Sequence, residues 1–279
     1  MESVAKGMQL LITKLLEVRG ECPECGGNLY GWKTKNSDGS ERCQPTCMSC
    51  GHYDLKRKAD MNSNRIYKNS LKQRAIGILE NMSVVSDKTL FKKKIHDFKR
   101  LDDETTIAEN KARSFINQVL LGNPVHMLLS GKSGVGKSHL SMGICWEVLE
   151  RSNYDKKCIF INYRELLEQI RYSYSDENLR KQIQGSLMAD LKTVDLVVID
   201  DLGAELGGND IRQSKNYNND VIYSILEARQ NQALVINSNL STKEIKAAYG
   251  ERILSRIIMN SDGFRVGMKT TKDKRMVGV

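Results

Sequence analysis

No apolar run in the 279 residues reaches the roughly 18 residues needed to cross a bilayer, so the sequence predicts no membrane span. The opening stretch MESVAKGMQLLITKLLEVRG lacks a long apolar core and a small-residue cleavage site, and does not read as a secretory signal. Its apolar positions Met8, Leu11, Ile12, Leu15 and Leu16 fit an amphipathic helix instead. Together these absences predict a cytoplasmic location. Internal repeats and low-complexity tracts are missing as well. Cysteine is scarce after residue 50: of seven, only Cys145 and Cys158 lie beyond it, both in apolar contexts that suit small buried side chains. The other five crowd into the first fifty residues at short spacings. A secreted disulfide framework would spread its pairs along the chain, and this pattern does not.

Charge is present in quantity but unevenly placed. Residues 1–50 carry 6 basic and 6 acidic side chains, and residues 101–279 carry 24 and 23. Residues 51–100 carry 13 and 5, so +8 of the net +9 belongs to that stretch, concentrated in DLKRKAD and FKKKIHDFKR. Two readings fit it: a solvated linker, or an electrostatic track for nucleic acid or an acidic partner. Composition thus divides the chain into a helix plus cysteine module at 1–56, a basic helical connector at 57–100, and a longer α/β region at 101–279.

In that last region HMLLS, CIFIN, DLVVID and ALVINS read as buried strands. Helical stretches fall at 137–150, at about 163–191 with a break, and at about 215–230. The capping box STKE, Ser241 to Glu244, opens another helix. Alternation of this kind predicts a parallel sheet flanked by helices.

Between the first strand and its helix lies GKSGVGKS, Gly131 to Ser138. Glycines at 131, 134 and 136 let the backbone turn tightly and aim its N–H groups inward, forming a concavity at a helix N-terminus that suits polyphosphate oxygens. Lys137 can bridge the β- and γ-phosphates of ATP, and the Ser138 hydroxyl can ligate Mg²⁺. The candidate nucleotide-binding set is Gly131, Ser133, Gly134, Val135, Gly136, Lys137, Ser138 and His139. A phosphate loop calls for an acidic residue at the end of another buried strand, and LVVIDDLG supplies Asp200 and Asp201. Asp200 is expected to hold Mg²⁺, and Asp201 to polarise the attacking water. At the end of ALVINS, Asn239 is the candidate for touching the γ-phosphate or orienting the water, with Ser238 beside it. GERILSRI places Arg252 and Arg256 at i, i+4 on one helical face, either as ordinary surface charge or as planar guanidiniums able to stabilise a transferring phosphoryl group of a neighbouring subunit.

GKSGVGKSHL, VVIDDLG, INSNLS and GERILSRI together make the last 170 or so residues resemble an AAA+ ATPase, and within it the replicative helicase loaders of the DnaC/DnaI type. That resemblance implies a P-loop AAA+ domain in which Asp200 and Asp201 are the Walker B pair and Asn239 is sensor 1. It further implies Arg256 as an arginine finger with Arg252 its companion, and Arg275 as the nearest match to sensor 2. Many related ATPases carry Glu where this chain has Asp201, and the shorter reach implies slow, partner- or DNA-stimulated hydrolysis. Loaders of this type bind a hexameric, ring-shaped replicative helicase, assist its opening around single-stranded DNA, and assemble as homo-oligomers when ATP-bound or on the helicase. IstB-type transposition helpers match the same motifs nearly as well. A non-hydrolysing, ATP-switched adapter is a third reading.

CPECGG and CMSCG each place two thiols at the spacing of a zinc knuckle. Two knuckles facing each other make a closed tetrahedral Cys₄ site, structural rather than catalytic. Symmetry favours Cys22, Cys25, Cys47 and Cys50 as zinc ligands, and Cys43 or His52 can take the place of one of them. NSDGS is the expected turn of a small hairpin between the knuckles. By the same resemblance, this module is the partner-docking domain of a loader.

Overall fold

The computed structural model describes residues 12–173, 187–207 and 213–276. Two compact units emerge, Met1–Asn69 and Ser70–Val279. The boundary falls inside the 28-residue helix α1 (Asp54–Asn81), whereas composition places a connector over 57–100.

In the first unit, residues 12–15 are helical and β1 (Leu16–Glu21) follows at once. The helix expected from Met8 through Leu16 therefore stops one residue short, and its part before residue 12 lies outside the described residues. From Leu16 onward the chain pairs antiparallel with β2 (Asn28–Trp32), and β2 pairs antiparallel with β3 (Thr46–Cys47). Cross-strand bonds thus take over where the helical pattern runs out. The expected turn is present between β2 and β3: Asn36 N–H donates to the Ser40 carbonyl at 2.9 Å, and Asp38 accepts from the Ser40 amide.

The second unit is built on five parallel strands in the order β5-β6-β7-β4-β8. These are β4 (His126–Gly131), β5 (Cys158–Asn162), β6 (Leu196–Leu202), β7 (Ala233–Ser238) and β8 (Arg265–Met268). Because successive side chains of a strand point to opposite faces, each of the four strands β4 to β7 feeds two cores. Met127, Leu129, Phe160, Val198 and Val235 join one core with the end of α1, α2 (Asp103–Leu120) and α3 (Lys137–Arg151). Leu128, Ile161, Val197 and Ile236 join the other, with α4 (Tyr163–Ser173), α5 (Met188–Thr193), α6 (Gln213–Ala228), α7 (Thr242–Tyr249) and α8 (Glu251–Ile258). Burial on both faces explains why these four strands read as unbroken apolar runs, whereas β8 buries one face only.

Residues 82–100 are an integral part of this unit. Val84 N–H donates to the Phe160 carbonyl and Asn162 N–H to the Val84 carbonyl, extending the β5 edge by one bridge. Ile95 and Phe98 enter the first core, and Trp146 donates its indole N–H to the Phe91 carbonyl at 2.7 Å. No helix among the described residues is long and apolar enough to cross a membrane.

Candidate functional site

The loop after β4 turns through positive φ at Gly131, Gly134 and Gly136. At Gly134 the requirement is doubled, because φ is +81° and a Cβ there would lie 2.0 Å from the Asp273 carboxylate. Val135 is fully buried in the core, so only its backbone is available to a ligand. Lys137 turns back across the loop. Its ammonium donates to the Gly131 and Lys132 carbonyls, both at 2.8 Å, and to Asn239 Oδ1 at 2.7 Å. Burial pulls its pKa down, and the neighbouring Asp200 and Asp201 pull it back up.

Asp200, two residues before the end of β6, is almost fully buried, and burial pushes its carboxyl upward in pKa against the pull of Asn237 and Ser138. Ser138 Oγ donates to Asp200 Oδ1 at 3.0 Å and Asn237 Nδ2 donates to the same oxygen at 2.7 Å. No hydrogen bond among the described residues falls on Oδ2. The register with β7 slips between Ile199 and Leu202, and Asp201 within that slip has φ +61°, a strained backbone for a non-glycine residue. The bulge carries Asp201 to Asn239, whose Nδ2 donates to Asp201 Oδ1 at 3.0 Å. Asn239 thereby joins the loop lysine to the second carboxylate. Ser238 does not face the loop; its hydroxyl donates to the Leu202 carbonyl at 2.6 Å and ties two strand ends together. An open cavity of about 280 Å³ borders Ser138, Asn162, Asp200 and Asp201.

Two predicted members lie at the margins. His139 faces away from the phosphate loop, its ring nitrogen 3.0 Å from the Lys94 carbonyl and its ring edge-on to Phe98. Burial depresses its pKa. Arg275 reaches Ser133 Oγ at 3.1 Å while paired with Asp273 at 2.8 Å. Arg252 and Arg256 stack on the Tyr223 ring at 4.0 and 4.3 Å, and Arg256 pairs with Glu227 at 3.3 Å. Their partners are residues of α6, so within this one protomer nothing brings them to Lys137. Sequence reasoning missed Asn237, which is fully buried and accepts from Ser141 Oγ at 2.9 Å. The available signal was an amide in the middle of an apolar strand, a costly residue unless its bonds are met.

In the first unit the sulfurs of Cys22, Cys25, Cys47 and Cys50 all lie within 4.8 Å of one another. Cys22–Cys50 is 3.6 Å and Cys25–Cys47 is 3.5 Å. Tetrahedral zinc with four thiolates requires sulfurs about 3.8 Å apart, so the set fits the ion. The two knuckles are built alike. Gly26 N–H donates to the Cys22 carbonyl and Gly51 N–H to the Cys47 carbonyl; Cys22 N–H donates to Gly27 and Cys47 N–H to His52. His52 thus occupies the place of Gly27 and serves through its carbonyl, while its ring packs on Tyr53 at 4.3 Å. Backbone N–H groups of Cys50 and Ser49 aimed at the Cys47 sulfur bring its thiol down to about 6. Cys43 is half-buried and outside the cluster.

Residues 66–266 match the family described as IstB-like ATP binding protein. The replicative helicase loader DnaC of Escherichia coli (strain K12) is 28% identical over 170 residues, covering 57% of this chain and 63% of that protein. The chain therefore spans somewhat less than two thirds of that relative. The crystal structure of the DnaC helicase loader matches with a TM-score of 0.51 at 18% identity, over 66% of this chain and 100% of that one. The crystal structure of DnaI matches with a TM-score of 0.53 at 21% identity, over 69% and 96%. At such identities these structures show the fold alone: a five-stranded parallel sheet flanked by helices, with the phosphate-type loop after its β4 strand.

Proposed function

The chain belongs to the IstB-like ATP-binding protein family, and from its site geometry together with its similarity to a helicase loader we propose that it is an ATP-hydrolysing loader of a hexameric replicative helicase onto single-stranded DNA. The observation that carries the reading is the continuous set Lys137–Asn239–Asp201 and Ser138–Asp200, on a chain similar to a helicase loader.

Lys137 holds the β- and γ-phosphates by exchanging its contacts to the loop carbonyls and Asn239 for phosphate oxygens. The Ser138 hydroxyl and Asp200 hold Mg²⁺, with Asn237 fixing the carboxylate. When bound, Mg²⁺ supplies charge neutralisation between the two phosphates. Asp201 accepts the proton of the attacking water, and Asn239, already bonded to it, orients that water. Arg256, with Arg252 beside it, serves the site of the next protomer, since its own site does not engage it. Arg275 reads the nucleotide from the C-terminal side through Ser133. The four cysteines hold zinc as a closed structural site, and the fold of the small module depends on it. That module docks on the helicase, and single-stranded DNA runs along the AAA+ surface without sequence preference.

The test is co-purification of the full chain with a replicative helicase in ATP, together with hydrolysis measured with and without single-stranded DNA. Helicase capture and stimulated turnover are expected, and Cys47→Ser is expected to lose capture while retaining ATP binding. An IstB-type transposition helper, which shares these motifs, is the second reading, and the match to the IstB-like family keeps it in play. DNA-stimulated hydrolysis with no helicase capture would decide for the helper.

A further inference from the structure

Past the acidic pair the chain continues Leu202-Gly203-Ala204-Glu205, and nothing in the phosphate chemistry uses the Glu205 carboxylate. It sits in the short turn Ala204–Gly207. Its Oε2 accepts the Gly203 N–H at 2.9 Å, and its Oε1 accepts the hydroxyl of Tyr249. Tyr249 is buried in the second core, so this hydroxyl has been taken out of water to make the bond. Burial raises the pKa of Glu205, and the nearby charge of Asp201 raises it further. A carboxylate beside another carboxylate in a partly dry site is costly, and its hydrogen bonds must offset that.

The sequence position of Tyr249 gives the bond a direction. It is the last residue of α7, and Gly250 follows with φ +86°, ending α7 and starting α8 in a single residue. A side chain at this φ would be strained, so Gly250 is a hinge in the sense that only glycine turns freely there. The next helix is α8, which carries Arg252 and Arg256. A short physical chain therefore runs from the strained Asp201 through the Gly203 amide, the Glu205 carboxylate and the Tyr249 hydroxyl to Gly250 and the arginine helix. On its way Gly203 packs against Leu240, which follows Asn239 directly; a Cβ at Gly203 would lie 2.7 Å from Leu240 Cδ1. Both polar residues facing the γ-phosphate position thus have neighbours touching this link.

We propose that Glu205 and Tyr249 are positioning residues that couple Asp201, at the ATP site of a protomer, to the arginine-bearing helix α8, which the ATPase reading turns toward the next protomer. The proposal rests on the ATPase reading above and adds to it how one protomer's nucleotide sets the arginines offered to the next. Movement of Asp201 on meeting a phosphate shifts the Gly203 amide, and the carboxylate passes that shift to the hydroxyl. The Gly250 hinge lets α8 rotate as a unit, breaking or keeping the stack on Tyr223.

The experiment compares the full chain with Tyr249→Phe, which keeps the ring and removes one hydroxyl. Three quantities are read: affinity for a fluorescent ATP analogue with Mg²⁺, amide hydrogen exchange over residues 249–258 with and without ATP, and DNA-stimulated turnover. The wild type is expected to change its exchange at α8 when ATP binds. Tyr249→Phe is expected to keep ATP affinity within about twofold, lose that change, and lower kcat by about tenfold with KM unmoved. In an Arg256→Ala background it is expected to lower kcat no further. A wild type whose α8 exchange ignores ATP overturns the coupling, as does a Tyr249→Phe chain that responds like wild type. If the wild type couples ATP to α8 but never hydrolyses it, the positioning role stands and the ATPase reading falls. Should Tyr249→Phe melt well below wild type, Glu205→Gln is read in the same exchange assay, because its amide cannot accept from both Gly203 and Tyr249.

Discussion

Lys137 has three ammonium protons and three acceptors, and one of those acceptors is the amide that also holds Asp201. Replacing it with alanine removes the ammonium that the phosphates would meet and leaves Asn239 Oδ1 without its lysine donor. Lys137→Ala is expected to weaken ATP binding by about 10- to 100-fold, the range of one or two charge-assisted hydrogen bonds. Titration with a fluorescent ATP analogue measures it, and unchanged affinity would sink the assignment. Lys137, Ser138 and Asp200 were legible in the sequence because each sits at a fixed place in a run of adjacent residues where a strand ends. Asn237 was not, since a polar residue inside ALVINS looks like an interruption until its partners Asp200 and Ser141 are known. The strain at Asp201 was equally hidden, for it comes from a slip against β7, and register belongs to a pair of strands. Arg275 came only from the family resemblance, as its weakest match, and the segment that carries it to Ser133 is preceded by residues bonded to a carboxylate far away in the chain.

That carboxylate is Glu104, in the first turn of α2, and it works at the scale of elements. Its Oε2 accepts the Thr270 and Thr271 amides at 2.9 and 3.0 Å and the Thr271 hydroxyl at 2.9 Å. The strand β8 is thereby tied down just past its end, before Asp273 and Arg275 reach the phosphate loop. Burial opposes ionisation, but the Thr270 and Thr271 donors hold the Glu104 pKa down to about 2, against an ordinary value of 4.5. The folded value is the lower one, so this stabilisation is full above about pH 4.5 and lost as pH falls toward about 2. Glu104→Gln removes the titrating group. The difference in melting temperature between wild type and Glu104→Gln is expected to shrink as pH drops through that window; a constant difference would show that the carboxylate does not carry it. Neither α2 nor β8 was legible beforehand. Helix α2 is capped by Asp102 and Thr105, a polar pair that reads equally well as a loop, and the four residues of β8 alternate exposed and buried between glycine and lysines. The core strands were plain because burial on both faces makes them continuous apolar runs. Residues 82–100 misled in the other direction: their lysines dominate the composition, while spaced anchors such as Val84, Ile95 and Phe98 decide the packing.

At the scale of the whole molecule the arginines decide how many chains make one site. Arg252 and Arg256 sit on Tyr223 and Glu227, and Arg256 Nε is buried with no hydrogen-bond partner among the described residues. A guanidinium partly satisfied within its own chain is suited to exchanging those contacts for a stronger anion offered by a neighbour. If Arg256 acts on the next protomer, a site needs an intact Lys137 from one chain and an intact Arg256 from another. Lys137→Ala and Arg256→Ala chains are then each inactive alone for different reasons. In an equal mixture that assembles at random, half the interfaces carry a working loop and half of those meet a working arginine. Turnover is therefore expected to return to about a quarter of the wild-type value on mixing, provided the contact is head-to-tail. If Arg256 served its own protomer, every chain in the mixture would still lack one essential group, and mixing would restore nothing. Stimulated hydrolysis measured across the mixing ratio separates the two cases, since only the trans arrangement gives a maximum at equal proportions.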